Sequence, residues 1–364
     1  WLKTHYPGPF MAAVMSTEMD NLDKVVPLIE ESRRIGLTVT PPDVNIGAYK
    51  FTVDTEGRVV YGLGAIRGVG EGPIGAIVEA READGPFSDL FDFCRRVDPK
   101  RMNKRTLEAL IRSGALDNLG PNRAVLAAAL DDAIRAAAQT QTNQSLGMMD
   151  MFGEAFADDE AESDPYETYR RAREWTDKER LAGEKETLGL YLTGHPIDEY
   201  EKELARFVST RIVDLKPSRE PQRVAGLVVA MRTMKSKRGD TMAFITLDDR
   251  TGRIEASLFG ELFDQLRGQI EADQVLIVEG EVSSDDFSGG LRLRGKEVTP
   301  MVAARSRFGE AVELSLDGTR VNGRLVDTLR ASLTPHRDDG GLPVRLRYRN
   351  DEAAGWMELD AQWR

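Results

Sequence analysis

Val59-Val60-Tyr61-Gly62-Leu63-Gly64-Ala65-Ile66-Arg67-Gly68-Val69-Gly70-Glu71-Gly72-Pro73-Ile74-Gly75-Ala76-Ile77-Val78-Glu79-Ala80-Arg81 sets a run of glycines between a strand-like stretch and an apolar, helix-compatible one. Gly68, Val69 and Gly70 predict a tight turn whose bare backbone lets N–H groups approach a charged oxygen, and Pro73 stands where a helix likes to begin. A helix start with free amides is a seat for phosphate. Gly-x-Gly after Val59-Val60-Tyr61 also fits a dinucleotide-binding loop. That fold needs a further strand ending in an acidic residue, whereas 87–97 and 103–112 both have helical spacing. The expectation is a helix-hairpin-helix that holds duplex backbone without reading sequence, with a plain turn between core helices as the alternative.

The 364 residues are enough for two or three domains, and 41% hydrophobic content is ordinary for a globular chain. No stretch approaches the length of a membrane span, and Trp1-Leu2-Lys3-Thr4-His5-Tyr6 is not a signal peptide, so the chain reads as a piece of a larger protein with no membrane association. One cysteine, Cys94, fits a reducing cytoplasm and reads as a core thiol; three distant histidines assemble no zinc site. A net charge of -12 argues against broad adhesion to nucleic acid. Any contact with DNA is therefore local, or helped by a partner.

Helical spacing marks 11–19, 23–35, 73–81, 90–97, 103–112 and 121–138, and Tyr49–Val53 with Arg58–Tyr61 predicts a β-hairpin. Ser113-Gly114-Ala115-Leu116-Asp117 echoes the first turn, and beside it Lys100, Arg101, Lys104, Arg105 and Arg112 form a basic cluster in an acidic protein. Such a run is usually a solvated face; next to a phosphate seat it becomes a candidate duplex contact, with Arg67, Gly68, Val69, Gly70 and Gly72. From Gln139 to Thr168 the composition becomes that of a linker, polar and then acidic around Leu146-Gly147-Met148-Met149-Asp150-Met151-Phe152. Helices are expected around 175–182 and 197–207.

Residues 222–299 are strand-rich: 223–231, 241–247 and 253–259, a helix 261–270, then 274–282 and 291–298, which is the OB-fold order. Arg232, Lys235, Lys237 and Arg238 follow the first strand. Phe244, Phe259 and Phe287 offer stacking faces, and Arg292 and Arg294 alternate onto one side, as single-strand binding requires. Eleven basic against 13 acidic residues over 221–300 keep a purely structural barrel open. After Pro300, strand, helix, strand and strand suggest a small α/β unit.

Taken together, Trp1-Leu2-Lys3-Thr4-His5-Tyr6-Pro7 with Phe10–Met15, Gly62–Pro73, Leu188–Pro196 and Asp285–Leu291 closely resemble the C-terminal half of the alpha-subunit family of bacterial DNA polymerase III, the C-family replicative polymerases. The resemblance implies a multidomain α+β chain. Residues 1–58 would end the fingers, 59–140 form the helix-hairpin-helix region, 141–170 an acidic linker, 171–220 a helical connector, 221–300 an OB-fold barrel and 301–364 a truncated α/β unit. It also implies that the hairpins hold duplex DNA, the barrel lies near single-stranded template, and the last unit meets the clamp-loader tau subunit. The linker would bind the ring-shaped beta sliding clamp through Asp150, Met151 and Phe152. That clamp motif typically starts with Gln, and Met148 stands there instead; Gln144 in a shifted register is the alternative anchor. Polymerisation needs carboxylates holding two metal ions, and no tight Asp-x-Asp pair is visible. By resemblance the catalytic aspartates and their Mg2+ belong to a palm upstream of Trp1, leaving this segment without catalytic residues, metal or cofactor of its own. Rival readings are an error-prone paralogue, a noncatalytic adaptor, and a DNA ligase, whose lysine motif and cysteine zinc site are not visible.

Overall fold

The computed structural model describes residues 1–145, 164–235, 241–284, 290–318, 323–337, 341–350 and 353–363. Asp150, Met151, Phe152, Lys237, Arg238 and Phe287 lie outside the described residues. The chain divides into two compact units, residues 1–195 and 196–364.

The first unit opens with helices α1 (Leu2–His5), α2 (Pro7–Glu18) and α3 (Leu22–Arg34), followed by short strands β1 (Val39–Thr40), β2 (Thr52–Val53) and β3 (Val59–Val60). The expected hairpin is present as antiparallel β2 and β3, and β1 joins β3 in parallel. Its turn is closed by Asp54, whose Oδ1 accepts from the amides of Glu56 and Arg58, each at 2.9 Å. A 3-10 turn over Leu63–Ala65 leads to α4 (Glu71–Asp84), which starts two residues before Pro73. Proline is tolerated throughout a first helical turn, because no N–H there has an intrahelical acceptor, so it does not mark the first residue.

Helices α5 (Leu90–Arg96), α6 (Lys104–Ser113), α7 (Arg123–Ser145) and α8 (Asp177–Leu188) complete this unit around one core that includes Met11, Met15, Tyr61, Ile77, Phe93 and Leu110. Cys94 is in this core as expected, its thiol pushed up to about 12 by burial. Helices α4, α7 and α8 run past the 81, 138 and 182 that their spacing predicts. Helix α8 starts on a capping box between Thr176 and Glu179 and ends at Gly189, φ 75°, so Glu186 to Leu188 form its last turn rather than a following loop. Before it, Tyr166 inserts between α5 and the turn preceding α7. Its hydroxyl accepts from the Leu90 amide and donates to the Leu119 carbonyl.

The second unit holds α9 (Glu201–Phe207) and strands β4 (Ser218–Lys235), β5 (Thr241–Asp248), β6 (Arg253–Phe259), β7 (Val275–Ser284) and β8 (Leu291–Pro300), with α10 (Glu261–Leu266) between β6 and β7. The strands close into a barrel in the order β4-β5-β6-β8-β7, all antiparallel except β6 with β8, which is the OB topology. Ala243, Ile245 and Leu247 alternate inward on β5, as Ile254, Ala256 and Leu258 do on β6. Helix α10 stops four residues before the expected Ile270, followed by Gly268 at φ 79°. Beyond the barrel come α11 (Met301–Phe308), which the spacing did not suggest, then β9 (Val312–Asp317), α12 (Leu325–Leu333), β10 (Val344–Arg349) and β11 (Ala354–Glu358). The sheet order is β11-β10-β9, and β9 runs parallel to β10, a pairing that requires the crossover α12 supplies. The architecture is thus α+β, helical first and barrel second.

Tyr61 is fully buried against Phe51, yet its hydroxyl has no hydrogen-bond partner among the described residues, and burial pushes its phenol far above the ordinary range. Removing a buried unsatisfied group of unchanged shape stabilises, so Tyr61→Phe is expected to raise the unfolding free energy in urea by about 1 kcal/mol. A loss of stability shows that the hydroxyl is bonded.

Candidate nucleic-acid interface

The glycines of the opening stretch fall into two kinds. A Cβ at Gly64 would stand 2.7 Å from the Tyr49 ring and 2.8 Å from its carbonyl oxygen, so packing alone requires glycine there. Gly68 takes φ 88°, which also demands glycine. Gly70 and Gly72 differ: a Cβ at either meets nothing within 4 Å, and Gly70 lies in ordinary extended backbone. The fold does not need them bare. Gly70 is the N-cap of α4 and no side chain caps this helix. Among the described residues, the amides of Gly68, Gly70, Glu71 and Gly72 donate to no protein acceptor, whereas the Val69 amide donates to the Ile66 carbonyl. Unbonded amides converge beside two open glycines, the arrangement that accepts an anionic oxygen.

The structure brings α6, whose first turn carries part of the basic cluster, to this turn. Asn103 caps α6 through the Thr106 amide, the Thr106 hydroxyl reaches the Gly68 carbonyl at 3.5 Å, and Ala109 faces Gly68. Arg101 lies over Gly75 of α4 and pairs with Glu79 at 2.7 Å, and Lys104 pairs with Asp131 at 2.6 Å. Lys100 and Arg105 are exposed and have no ion pair among the described residues. Arg67 is differently placed: its amide donates to the Thr187 carbonyl (2.8 Å) and its guanidinium to the Glu186 carbonyl (3.2 Å), which ties it to α8.

The echoing turn between α6 and α7 is closed. Its Gly114, Ala115, Asp117 and Leu119 amides all bond internally, and Val44 donates to the Ala115 carbonyl. A Cβ at Gly114 would stand 2.3 Å from Arg123, which is 5% exposed and bonded through Nε and Nη2 to the two oxygens of Asp117, each at 2.8 Å. Arg123 Nη1 reaches Glu184 at 3.0 Å and the Arg112 carbonyl at 3.2 Å. Desolvation would lower the guanidinium's affinity for its proton, and the Asp117 and Glu184 contacts more than offset it. Sequence reasoning missed this pair. Its signal was Glu184 spaced three and four residues from Leu181 and Leu188, on the apolar stripe of α8.

On the barrel, the sequence-selected residues meet on the outer face of β4, β5, β6 and β8. Register places Arg232, Phe244, Ser257 and Arg294 in one row across these strands, with Met234, Met242 and Phe259 in the next. Arg232 lies over the Phe244 ring (4.7 Å) and pairs with Glu255 (2.8 Å), while Arg294 lies over Phe259 (5.6 Å). Phe259 and Met234 are 41% and 52% exposed. Arg292 and Arg294 are both exposed on either side of buried Leu293, and Lys235 is exposed at the end of β4. Among the described residues, no three His, Cys, Asp or Glu side chains are grouped to hold a metal ion, and no helix is long and apolar enough to cross a membrane.

Comparison with known proteins assigns these two sites to recognised modules. Residues 36–126 match the helix-hairpin-helix motif, and residues 222–301 match the OB-fold nucleic acid binding domain. The class is therefore a chain joining a helix-hairpin-helix region to an OB-fold. More particularly, the whole chain is similar to DNA polymerase III subunit alpha: 54% identical to that of Pseudomonas fluorescens, 48% to that of Vibrio cholerae and 47% to that of Escherichia coli. Each match covers 100% of this chain, and the chain spans 31–32% of the length of these curated relatives.

Arg123 is the cation hydrogen-bonded to Glu184, with Arg180 Nη1 farther off at 3.9 Å, and a buried carboxylate that loses its bonded cation is costly. Arg123→Met is expected to destabilise the chain by about 3–5 kcal/mol in urea unfolding, and adding Glu184→Gln should recover part of that loss. Additive losses would contradict a coupled pair.

Proposed function

We propose that this chain is a DNA-holding portion of a replicative DNA polymerase alpha subunit. In this reading, the hairpin region (59–140) grips duplex and the barrel follows single-stranded template. Asp150, Met151 and Phe152 tether the beta sliding clamp, and the C-terminal unit meets the clamp-loader tau subunit. Nucleotide addition with Mg2+ belongs to a palm outside this segment. The similarity to DNA polymerase III subunit alpha supports the polymerase assignment. The observation that carries the duplex grip is the set of unbonded amides at Gly68, Gly70, Glu71 and Gly72, beside glycines that packing does not require. Amides at a helix start hold a phosphate oxygen at any base sequence, and Lys100 and Arg105 have cations available for neighbouring phosphates. Arg67, Arg101 and Lys104 support the seat and its walls through their protein partners. The exposed ring of Phe259 and the half-buried ring of Phe244, each under an arginine, offer sequence-tolerant stacking of bases.

Gly70→Val is the direct test, because its backbone accepts valine and no neighbour is crowded. Duplex affinity is expected to fall about tenfold, equally for unrelated sequences, with a melting temperature that does not fall. Lys100→Gln and Arg105→Gln should each reduce the slope of log affinity against log salt by about 1. Unchanged duplex binding across the salt series removes the grip from Gly68–Gly72. Phe244→Ala and Phe259→Ala should each weaken single-strand binding by about 1–3 kcal/mol and leave duplex binding alone. For the tether, deletion of residues 148–152 is expected to abolish capture by the sliding clamp, and surviving capture places that contact elsewhere.

A further inference from the structure

We propose that Glu184 is a positioning residue for the phosphate-binding turn, an inference that rests on the duplex grip proposed above. Glu184 is fully buried, and every one of its contacts is a donor. Its Oε2 accepts from the amides of Leu192 (2.8 Å) and Thr193 (3.0 Å), and its Oε1 from Arg123 Nη1 (3.0 Å) and the Thr193 hydroxyl. Only a carboxylate offers acceptors on both sides, since a carboxamide would turn an NH2 group against either Arg123 or the two amides. This knot fixes α8 between α7 and the 189–194 loop.

What α8 then presents is the reason it matters. The carbonyls of Glu186 and Thr187, in its last turn, accept the guanidinium and amide of Arg67, the residue before Gly68. On the opposite side the Gly68 carbonyl accepts from Thr106 of α6. Helices α6 and α8 are themselves in register: Glu186 pairs with Arg112 at 2.7 Å, and a Cβ at Gly183 would stand 3.2 Å from the Arg112 carbonyl oxygen. The turn is therefore held between two helices, and α8 lies beyond residues 36–126, the span of the matched hairpin module. The module's phosphate seat is completed from outside it. Arg123, at the start of α7 after the second hairpin, serves this brace, with Asp117 as its second anion.

The test is a double-mutant cycle on the full chain, with a short duplex of arbitrary sequence as probe and temperatures well below unfolding. Glu184→Gln is expected to weaken duplex binding about tenfold, and combined with Gly70→Val to be no weaker than Gly70→Val alone, because both act on one seat. Hydrogen exchange at the bonded amides of Ile66, Arg67 and Val69 should accelerate in folded Glu184→Gln while residues 7–34 stay protected, a change that a general loss of stability would not confine to the turn. Wild-type affinity, or losses that multiply to about a hundredfold, overturn the inference. An unaffected Gly70→Val removes the seat itself, and Glu184's role with it. Should Glu184→Gln not fold, Arg67→Met cuts the same linkage at its exposed end, and the same cycle decides.

Discussion

The buried contact between Arg123 and Glu184 is the constraint around which the first unit is arranged. Taking both charges out of water costs several kcal/mol per ion, which mutual attraction offsets only when the remaining donors and acceptors are also satisfied. Here they are: Arg123 donates to Asp117, Glu184 and the Arg112 carbonyl, and Glu184 accepts from the 189–194 loop. That requirement fixes the end of α6, the start of α7, the middle of α8 and the loop after it relative to one another. An apolar pair of equal volume would bury as well but would allow these elements to slide. Directional bonds do not.

Much of this architecture is legible in the sequence, because it follows from periodicity and turn chemistry. The barrel order, the β2–β3 hairpin and most helices are set by alternation, 3.6-residue spacing and glycine positions. The overextended helix predicted at 261–270 shows the weakness of spacing alone: Gln265 to Ile270 fit the pattern, and Gly268 ends it. Conversely, α8 runs to Leu188, past the expected 182, and Glu184 is a buried member of its inner face. The glycine turn itself was legible, and its open amides are what the proposed phosphate seat rests on. Its neighbours' duties were not legible. Arg67, Arg101 and Lys104 are all basic and all adjacent in sequence to the seat or its flanking helix, and only the fold separates them, bonded to protein, from Lys100 and Arg105.

The two hairpins also show how a chain of net charge -12 can present a local anion site. The first turn leaves amides open; the second bonds its own amides internally, turns its Asp117 carboxylate onto Arg123, and meets the 43–47 loop through the Ala115 carbonyl and the Asn118 side chain. Long-range repulsion is screened within about 10 Å at moderate salt, so amide dipoles in contact with an oxygen outweigh acidic groups farther away.

The open glycines set folding and recognition against each other. Gly70 and Gly72 add chain entropy to the unfolded state and return no packing, so side chains placed there face no steric objection from the fold. A laboratory selection that rewards heat resistance alone would therefore fill these two positions early, and the survivors would be sturdier molecules with, in the reading proposed above, a blunted hold on duplex DNA. Robustness and grip are inherited here through the same few atoms, and only a selection that scores both would keep them empty.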